Sequence, residues 1–259
     1  MNENLPTWAQ TATLRGQAID DGEHFRTSRR LLLVATLVTL ALWFVPYSNY
    51  LLYPLRLFII FIHESGHALA ALLVGGSVAS LTVAPNGSGV TQTLIAPWAR
   101  WLVYSGGYLG TALFGAVLLQ VGRLARWRSA GRTVLYTIAF VLLALTLLWA
   151  WRSPFTLITG LALAAVMWAL ARYTSPQAAN FAAAFLAVQC SLNALGDLSD
   201  LFAITTHNLG DSDAKFMADA YLLPPTFWAV LWAAMAVLLL AVSLRSYWRA
   251  TAARRLPGG

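Results

Sequence analysis

The chain has 259 residues, of which 59% are hydrophobic and only 10% are charged. Soluble domains carry about 25% charged residues, so the composition excludes an ordinary soluble protein and, with several apolar runs of about twenty residues, predicts a polytopic membrane protein. The net charge of +7 is concentrated in tails and short loops. This basic pattern lacks interleaved aromatic residues, so it indicates topology signals and lipid headgroups rather than a nucleic-acid partner.

The hydropathy pattern predicts one transmembrane domain over residues 31–245, flanked by a polar tail at 1–30 and a basic tail at 246–259. The fold class is all-α and polytopic, with about seven transmembrane helices. They are expected at residues 31–45, 57–74, 97–121, 133–151, 155–171, 178–202 and 226–244.

The second predicted helix, residues 57–74, carries the sequence His63-Glu64-Ser65-Gly66-His67 between apolar neighbours. Residues four apart lie on one helix face, so both imidazoles point to one place, and this spacing suits two ligands of a tetrahedral zinc ion. Glu64 follows the first histidine directly and can act as general base toward a water at the metal. Charge at membrane depth costs about 2.5–3.5 kcal/mol per residue, which a function or a partner is expected to offset.

A β-hairpin is predicted after this helix, over residues 77–95. Gly75-Gly76 is expected to end the helix, and two alternating segments then flank the turn sequence at residues 85–89. The segment is too polar to face lipid, so we expect it to lean on the second helix or to dip in from one surface. An ordinary loop outside the membrane is the alternative.

The third predicted helix carries Gly107, Thr111 and Gly115 at spacings of four, a small-residue stripe typical of close helix packing. A local break at Gly106-Gly107 is the alternative. Cys190 is alone, which excludes an intramolecular disulfide and indicates a small buried apolar residue.

The sixth predicted helix, residues 178–202, carries Asn193, Asp197 and Asp200 on one face. If this face meets the histidines, a carboxylate completes a two-histidine, one-aspartate site with one open position, which is the catalytic zinc arrangement. We take Asp197 as the third ligand, with Asp200 and the loop residue Asp213 as alternatives. The other aspartate is expected to orient a histidine, and Asn193 to bind substrate or an oxyanion or to join two helices.

Together these motifs resemble the site-2 protease family of intramembrane zinc metalloproteases. The resemblance is closest to a divergent bacterial and plant-type branch, where HESGHALAALL is followed by an Asn-Gly-Gly hairpin and by N-A-L-x-D and S-D-A segments, here residues 193–197 and 212–214. It implies that His63 and His67 bind Zn²⁺, that Glu64 is the catalytic base and that a later aspartate is the third ligand. The family's usual Leu-Asp-Gly segment is absent, so the identity of that aspartate stays open.

The sequence therefore predicts a zinc endopeptidase that cleaves membrane-protein substrates in or near their transmembrane segments, as in regulated proteolysis, with the lipid bilayer as its surroundings. A bacterial inner membrane is the expected location. One alternative is an inactive zinc-binding scaffold. The other is an ion transporter using His63, His67 and Asp197, although no repeated pair of broken helices supports it. Neither the substrate nor the oligomeric state follows from the sequence.

Overall fold

The computed structural model describes residues 33–42, 45–124, 130–207 and 212–253, with only the backbone described at 49, 122–124, 193–207 and 247–253. The predicted polar tail at 1–30 lies outside the described residues. Helix α1, Leu33–Leu42, belongs to a separate unit from the one that begins at Pro46. The division into one transmembrane domain and two tails stays a prediction.

The second unit consists of helices and one two-stranded hairpin. Its elements are α2 (Ser48–Leu73), β1 (Ser77–Val83), β2 (Gly89–Leu94), α3 (Arg100–Leu124), α4 (Ala130–Leu145), α5 (Pro154–Tyr173), α6 (Pro176–His207), α7 (Asp213–Tyr221) and α8 (Pro225–Ala253). A 3₁₀ turn at Pro97–Ala99 leads into α3, and Thr146–Ala150 extends α4 as a π-helix. Among the described helices, five (α2–α5 and α8) are long and apolar enough to cross a membrane. The predicted fold class is confirmed.

Helix α2 begins at Ser48, nine residues before the predicted start at Leu57. Residues 48–56, which lie before the predicted helix, are therefore helical and include Pro54. Pro54 is the seventh residue of the helix and lacks the N–H that would bond to the carbonyl of residue 50, but the neighbouring Tyr53 and Leu55 pack against the hydrophobic core. Tertiary packing thus overrides the local signal of the proline.

The two glycines after α2 end the helix as predicted. Gly75 adopts a positive φ of 76°, and its N–H donates to the carbonyl of Leu72 over 3.1 Å. The N–H of Gly76 donates to the carbonyl of Ala71 over 2.9 Å. A left-handed glycine with these bonds is a common helix C-cap, and it turns the chain directly into β1.

The hairpin lies along α2, as one of the two predictions for it required. Strands β1 and β2 are antiparallel, with Leu81 opposite Thr91, and the turn between them has Gly87 at a positive φ of 81°. The Tyr53 hydroxyl donates to the carbonyl of Pro85 over 2.8 Å, which ties the turn to α2. At the end of β1, the Thr156 hydroxyl accepts from the N–H of Val83 over 2.9 Å and lies 3.0 Å from its carbonyl oxygen.

Glycines allow α2 and α3 to touch backbone to backbone. A Cβ added to Gly106 would lie 2.9 Å from the carbonyl oxygen of Gly66, which is closer than real Cβ atoms come. Farther along α3, a Cβ on Gly115 would overlap Ser191 of α6. Helix α3 continues without a break at Gly106-Gly107, and Gly115 of the predicted stripe packs closely against α6, as the packing interpretation requires. Cys190 is fully buried, as expected.

Candidate metal centre

Helix α2 presents His63, Glu64 and His67 to one place. The potential ligand atoms of the three side chains all lie within 4.8 Å of one another. Glu64 and His67 are buried, and the His63 side chain is partly buried. The one-turn spacing therefore gathers these groups as the sequence predicts.

Asp213 joins the two histidines from a distant part of the chain. Its Oδ2 lies 3.1 Å from Nε2 of His63 and 3.2 Å from Nε2 of His67. Asp213 is the first residue of α7, and the preceding Ser212 caps the helix by accepting from the N–H of Lys215 over 3.2 Å. The cap fixes where the helix begins, so it also fixes where the carboxylate lies.

Helix α7 is held in this position by packing against its neighbours. Ala214 and Met217 are buried in a small cluster with Trp232 of α8. Trp232 stacks on Tyr108 of α3 with ring centroids 4.9 Å apart, and Tyr108 in turn contacts the His63 ring edge-on at 4.8 Å. One aromatic stack therefore connects the helix of Asp213 to the ring of the first histidine.

Three of the four histidine nitrogens at the centre have defined neighbours. Nδ1 of His67 donates to the carbonyl of Val103 over 2.7 Å, so Nε2 is the nitrogen that faces Asp213 and can bind a metal when it gives up its proton. The Asp213 carboxyl supplies an oxygen beside both Nε2 atoms. Two imidazole nitrogens and one carboxylate oxygen form a donor set that suits zinc.

The distances also fit a metal ion. Tetrahedral ligands at zinc bond lengths of about 2.0–2.2 Å lie about 3.3–3.6 Å from one another. The separations of 3.1 Å and 3.2 Å from Asp213 to the two histidines lie just below this range. A divalent cation would also balance the charges of Asp213 and the neighbouring Glu64, which is favourable in a site of low dielectric constant.

Gly107 of α3 leaves the space between the two histidine nitrogens open. A Cβ on Gly107 would lie less than 3.0 Å from Nε2 of both His63 and His67. A bound metal approaches both nitrogens this closely, at about 2.0–2.1 Å. The missing side chain therefore provides the volume that a metal needs.

The neighbouring histidines keep the Asp213 carboxyl ionised, which is the form that binds a metal. Burial alone raises the pKa of the Asp213 carboxyl, but the charges of His67 and His63 and their hydrogen bonds outweigh burial and hold its pKa below its usual range. Asp213 is therefore ionised, and carboxylates bind metals in this form.

The other predicted site residues lie outside the part of the chain whose side chains are described. Asn193, Asp197 and Asp200 belong to α6, of which only the backbone is described there. The assignment of Asp197 as a ligand accordingly stays a prediction. Asp213, one of its two alternatives, is brought to both histidines.

Several residues near the centre were not predicted from the sequence. Tyr108 touches His63, Gly107 faces both imidazoles, and Thr91 of β2 contacts Glu64. The glycine spacing predicted helix packing or a local break at Gly107, and not a contact with both imidazoles. The alternation of β2 placed Thr91 on a strand without indicating which helix residue it meets.

The profile of the family described as Peptidase M50B-like matches residues 32–243, which is most of the chain. The chain matches no curated protein and no solved structure.

Proposed function

Because the chain belongs to the site-2 protease family, as the Peptidase M50B-like match shows, we propose that this membrane protein is an intramembrane zinc metalloendopeptidase. It hydrolyses peptide bonds in or near transmembrane segments of other membrane proteins. The observation that carries the proposal is the carboxylate of Asp213 beside both histidines, with Glu64 next to them. We place the protein, as a multi-pass protein, in a bacterial inner membrane.

His63, His67 and Asp213 are the proposed zinc ligands, and they leave one coordination position open. We choose Asp213 over Asp197 because its oxygen lies within 3.2 Å of both histidines. Zinc bound there supplies Lewis-acid chemistry, since it polarises the scissile carbonyl and lowers the pKa of a water molecule. Three protein ligands with one open position are typical of catalytic rather than structural zinc.

Glu64 is the proposed general base. Its carboxylate accepts the proton of the attacking water and then delivers this proton to the leaving amine. The side chain is buried beside the histidines, so few competing waters reach it. The position directly after the first ligand keeps the carboxylate near the reacting atoms throughout.

A transmembrane substrate helix satisfies its own hydrogen bonds, so it must unwind before its carbonyl can be attacked. Strand β2 is the proposed acceptor for the unwound segment, by edge pairing. Among the described residues the sheet has two strands. The outer main-chain edge of β1 is already bonded at Val83, whose N–H donates to the Thr156 hydroxyl. Val90 and Leu94 of β2 are largely exposed, which leaves this strand as the accessible edge.

Thr93→Pro tests the edge-pairing proposal. The N–H and carbonyl of Val83 bond to Thr156 and point away from β2, and this register turns the N–H of Thr93 toward the open edge of β2. Proline removes that N–H, so we expect cleavage to be abolished while the zinc content stays that of the wild type. Thr93→Ala is the matched control, because it changes the same side chain and leaves the main chain able to pair. Intact cleavage by Thr93→Pro would exclude β2 as the substrate-binding strand.

Glu64→Gln tests the proteolytic function without a known substrate. Purified wild type and variant are each incubated with solubilised bacterial membrane proteins, and new N-termini are labelled and identified by mass spectrometry. We expect termini within or next to transmembrane segments in the wild type, and their formation to fall by about 10²–10⁴-fold in the variant, because a general base contributes this much.

Zinc content is measured on the same samples as a control. Equal zinc and equal sets of termini in the two proteins would contradict proteolysis and favour the scaffold alternative. Metal or proton flux in liposomes carrying the wild type, without new termini, would favour a transporter.

A further inference from the structure

Strand β2 contacts both oxygens of the Glu64 carboxylate. The Thr91 hydroxyl donates to Oε2 over 2.7 Å and lies 3.0 Å from the main-chain carbonyl oxygen of Glu64. Two residues earlier on the same face of β2, Gly89 lies against Oε1, and a Cβ there would be 2.7 Å from Cδ of Glu64 and closer still to Oε1. The hairpin therefore determines where this carboxylate sits.

The two oxygens differ in their surroundings. Oε2 is held by the hydroxyl of Thr91, whereas Oε1 accepts no hydrogen bond from the residues that the structure describes. The absence of a side chain at Gly89 leaves Oε1 its space. One oxygen is thus anchored, and the other is available for proton transfer.

We infer that Thr91 is a positioning residue that holds Glu64 through Oε2 so that Oε1 exchanges the proton. This inference rests on the proposed function, in which Glu64 is the base. It also connects two parts of the mechanism, because the strand proposed to bind the substrate is the strand that orients the base.

A purely structural role would have a different signature. If Thr91 only fastened the hairpin to α2, removing its hydroxyl would lower stability and leave a properly folded site unchanged. Thr93 lies two residues farther on the same strand, and it provides a matched position for the same substitution.

The test uses the full-length protein loaded with Co²⁺ and the probe acetohydroxamic acid, which chelates a metal and donates a hydrogen bond to an adjacent carboxylate. Its affinity is read from the visible absorption of the cobalt. We expect Thr91→Val to weaken binding by about 10- to 100-fold, as loss of an orienting partner does. Thr91→Ser, which keeps the hydroxyl, and Thr93→Val are expected to bind the probe as the wild type does.

Cleavage provides the second readout. On a peptide spanning a cleavage site found by terminal labelling, Thr91→Val is expected to lower kcat by a similar factor and to leave KM nearly unchanged. Unchanged probe affinity in Thr91→Val, loss of its metal, or an equal loss in Thr93→Val would overturn the inference. If the wild type cleaves nothing but the probe affinities follow the expected pattern, the proposed function fails and the positioning role stands.

Discussion

Asp213→Ala is expected to purify without zinc, whereas the wild type carries about one zinc ion per chain, the stoichiometry of a single catalytic site. The variant removes the oxygen that lies 3.1 Å and 3.2 Å from the two histidine nitrogens. Loss of a residue that hydrogen-bonds a metal ligand lowers metal affinity by about 10- to 100-fold, and loss of a direct ligand is expected to lower the affinity further. Elemental analysis by mass spectrometry after dialysis measures the zinc content per chain, with His63→Ala as the zinc-free control.

Asp213→Asn is the companion variant, because it keeps the size of the side chain at the start of α7. Helix-terminal charge contributes only about 0.3–1 kcal/mol, so neither variant is expected to unfold the protein. Asp197→Ala and Asp200→Ala should retain zinc. If Asp197→Ala loses zinc while Asp213→Ala keeps it, the sequence-based assignment is right, and Asp213 merely hydrogen-bonds the histidines.

The third ligand is the part of the candidate site that the sequence alone does not identify. The sequence favours ionisable residues inside apolar runs over the loop residue Asp213, because such residues face one another or a cavity. Asp213 lies in a polar segment, 150 residues from His63. Ser212 caps the start of α7, but nothing local in the sequence indicates that this helix packs through Met217 onto Trp232. Its position depends on tertiary packing.

Features that depend on local chemistry were predictable. The spacing of His63, Glu64 and His67 follows from helix geometry alone, and the glycines after α2 end the helix because of their own backbone freedom. The hairpin followed from alternation around a turn. The predicted start of α2 at residue 57 is wrong, because the residues beside Pro54 pack on the hydrophobic core and keep the preceding segment helical.

The glycines of α3 separate into two functions that their spacing does not distinguish. Gly106 lies against the backbone of α2 at Gly66, and Gly115 lies against Ser191 of α6. Gly107 belongs to the same pattern but faces the imidazoles of the metal centre. Periodicity identifies small residues at close contacts, whereas only the three-dimensional arrangement shows what each one approaches.

Gly107→Ala is expected to abolish metal binding and cleavage by adding one methyl group. Its Cβ would approach Nε2 of both His63 and His67 to less than 3.0 Å, in the space between them. Intrinsic helix propensity acts in the opposite direction, because alanine is favoured over glycine by about 0.8–1.0 kcal/mol within a helix. A loss of zinc therefore cannot be attributed to a lower helix propensity of α3.

Gly110→Ala is the matched control, three residues farther along α3. Its Cβ would lie 3.2 Å from Cα of Gly66, a tight contact at the same interface of α2 and α3 but away from the imidazole nitrogens. We expect it to retain zinc, with at most a small fall in thermal stability. Equal zinc loss in both variants would show that the separation of α2 and α3 controls the site. Normal zinc in Gly107→Ala would mean that no metal lies between these two nitrogens.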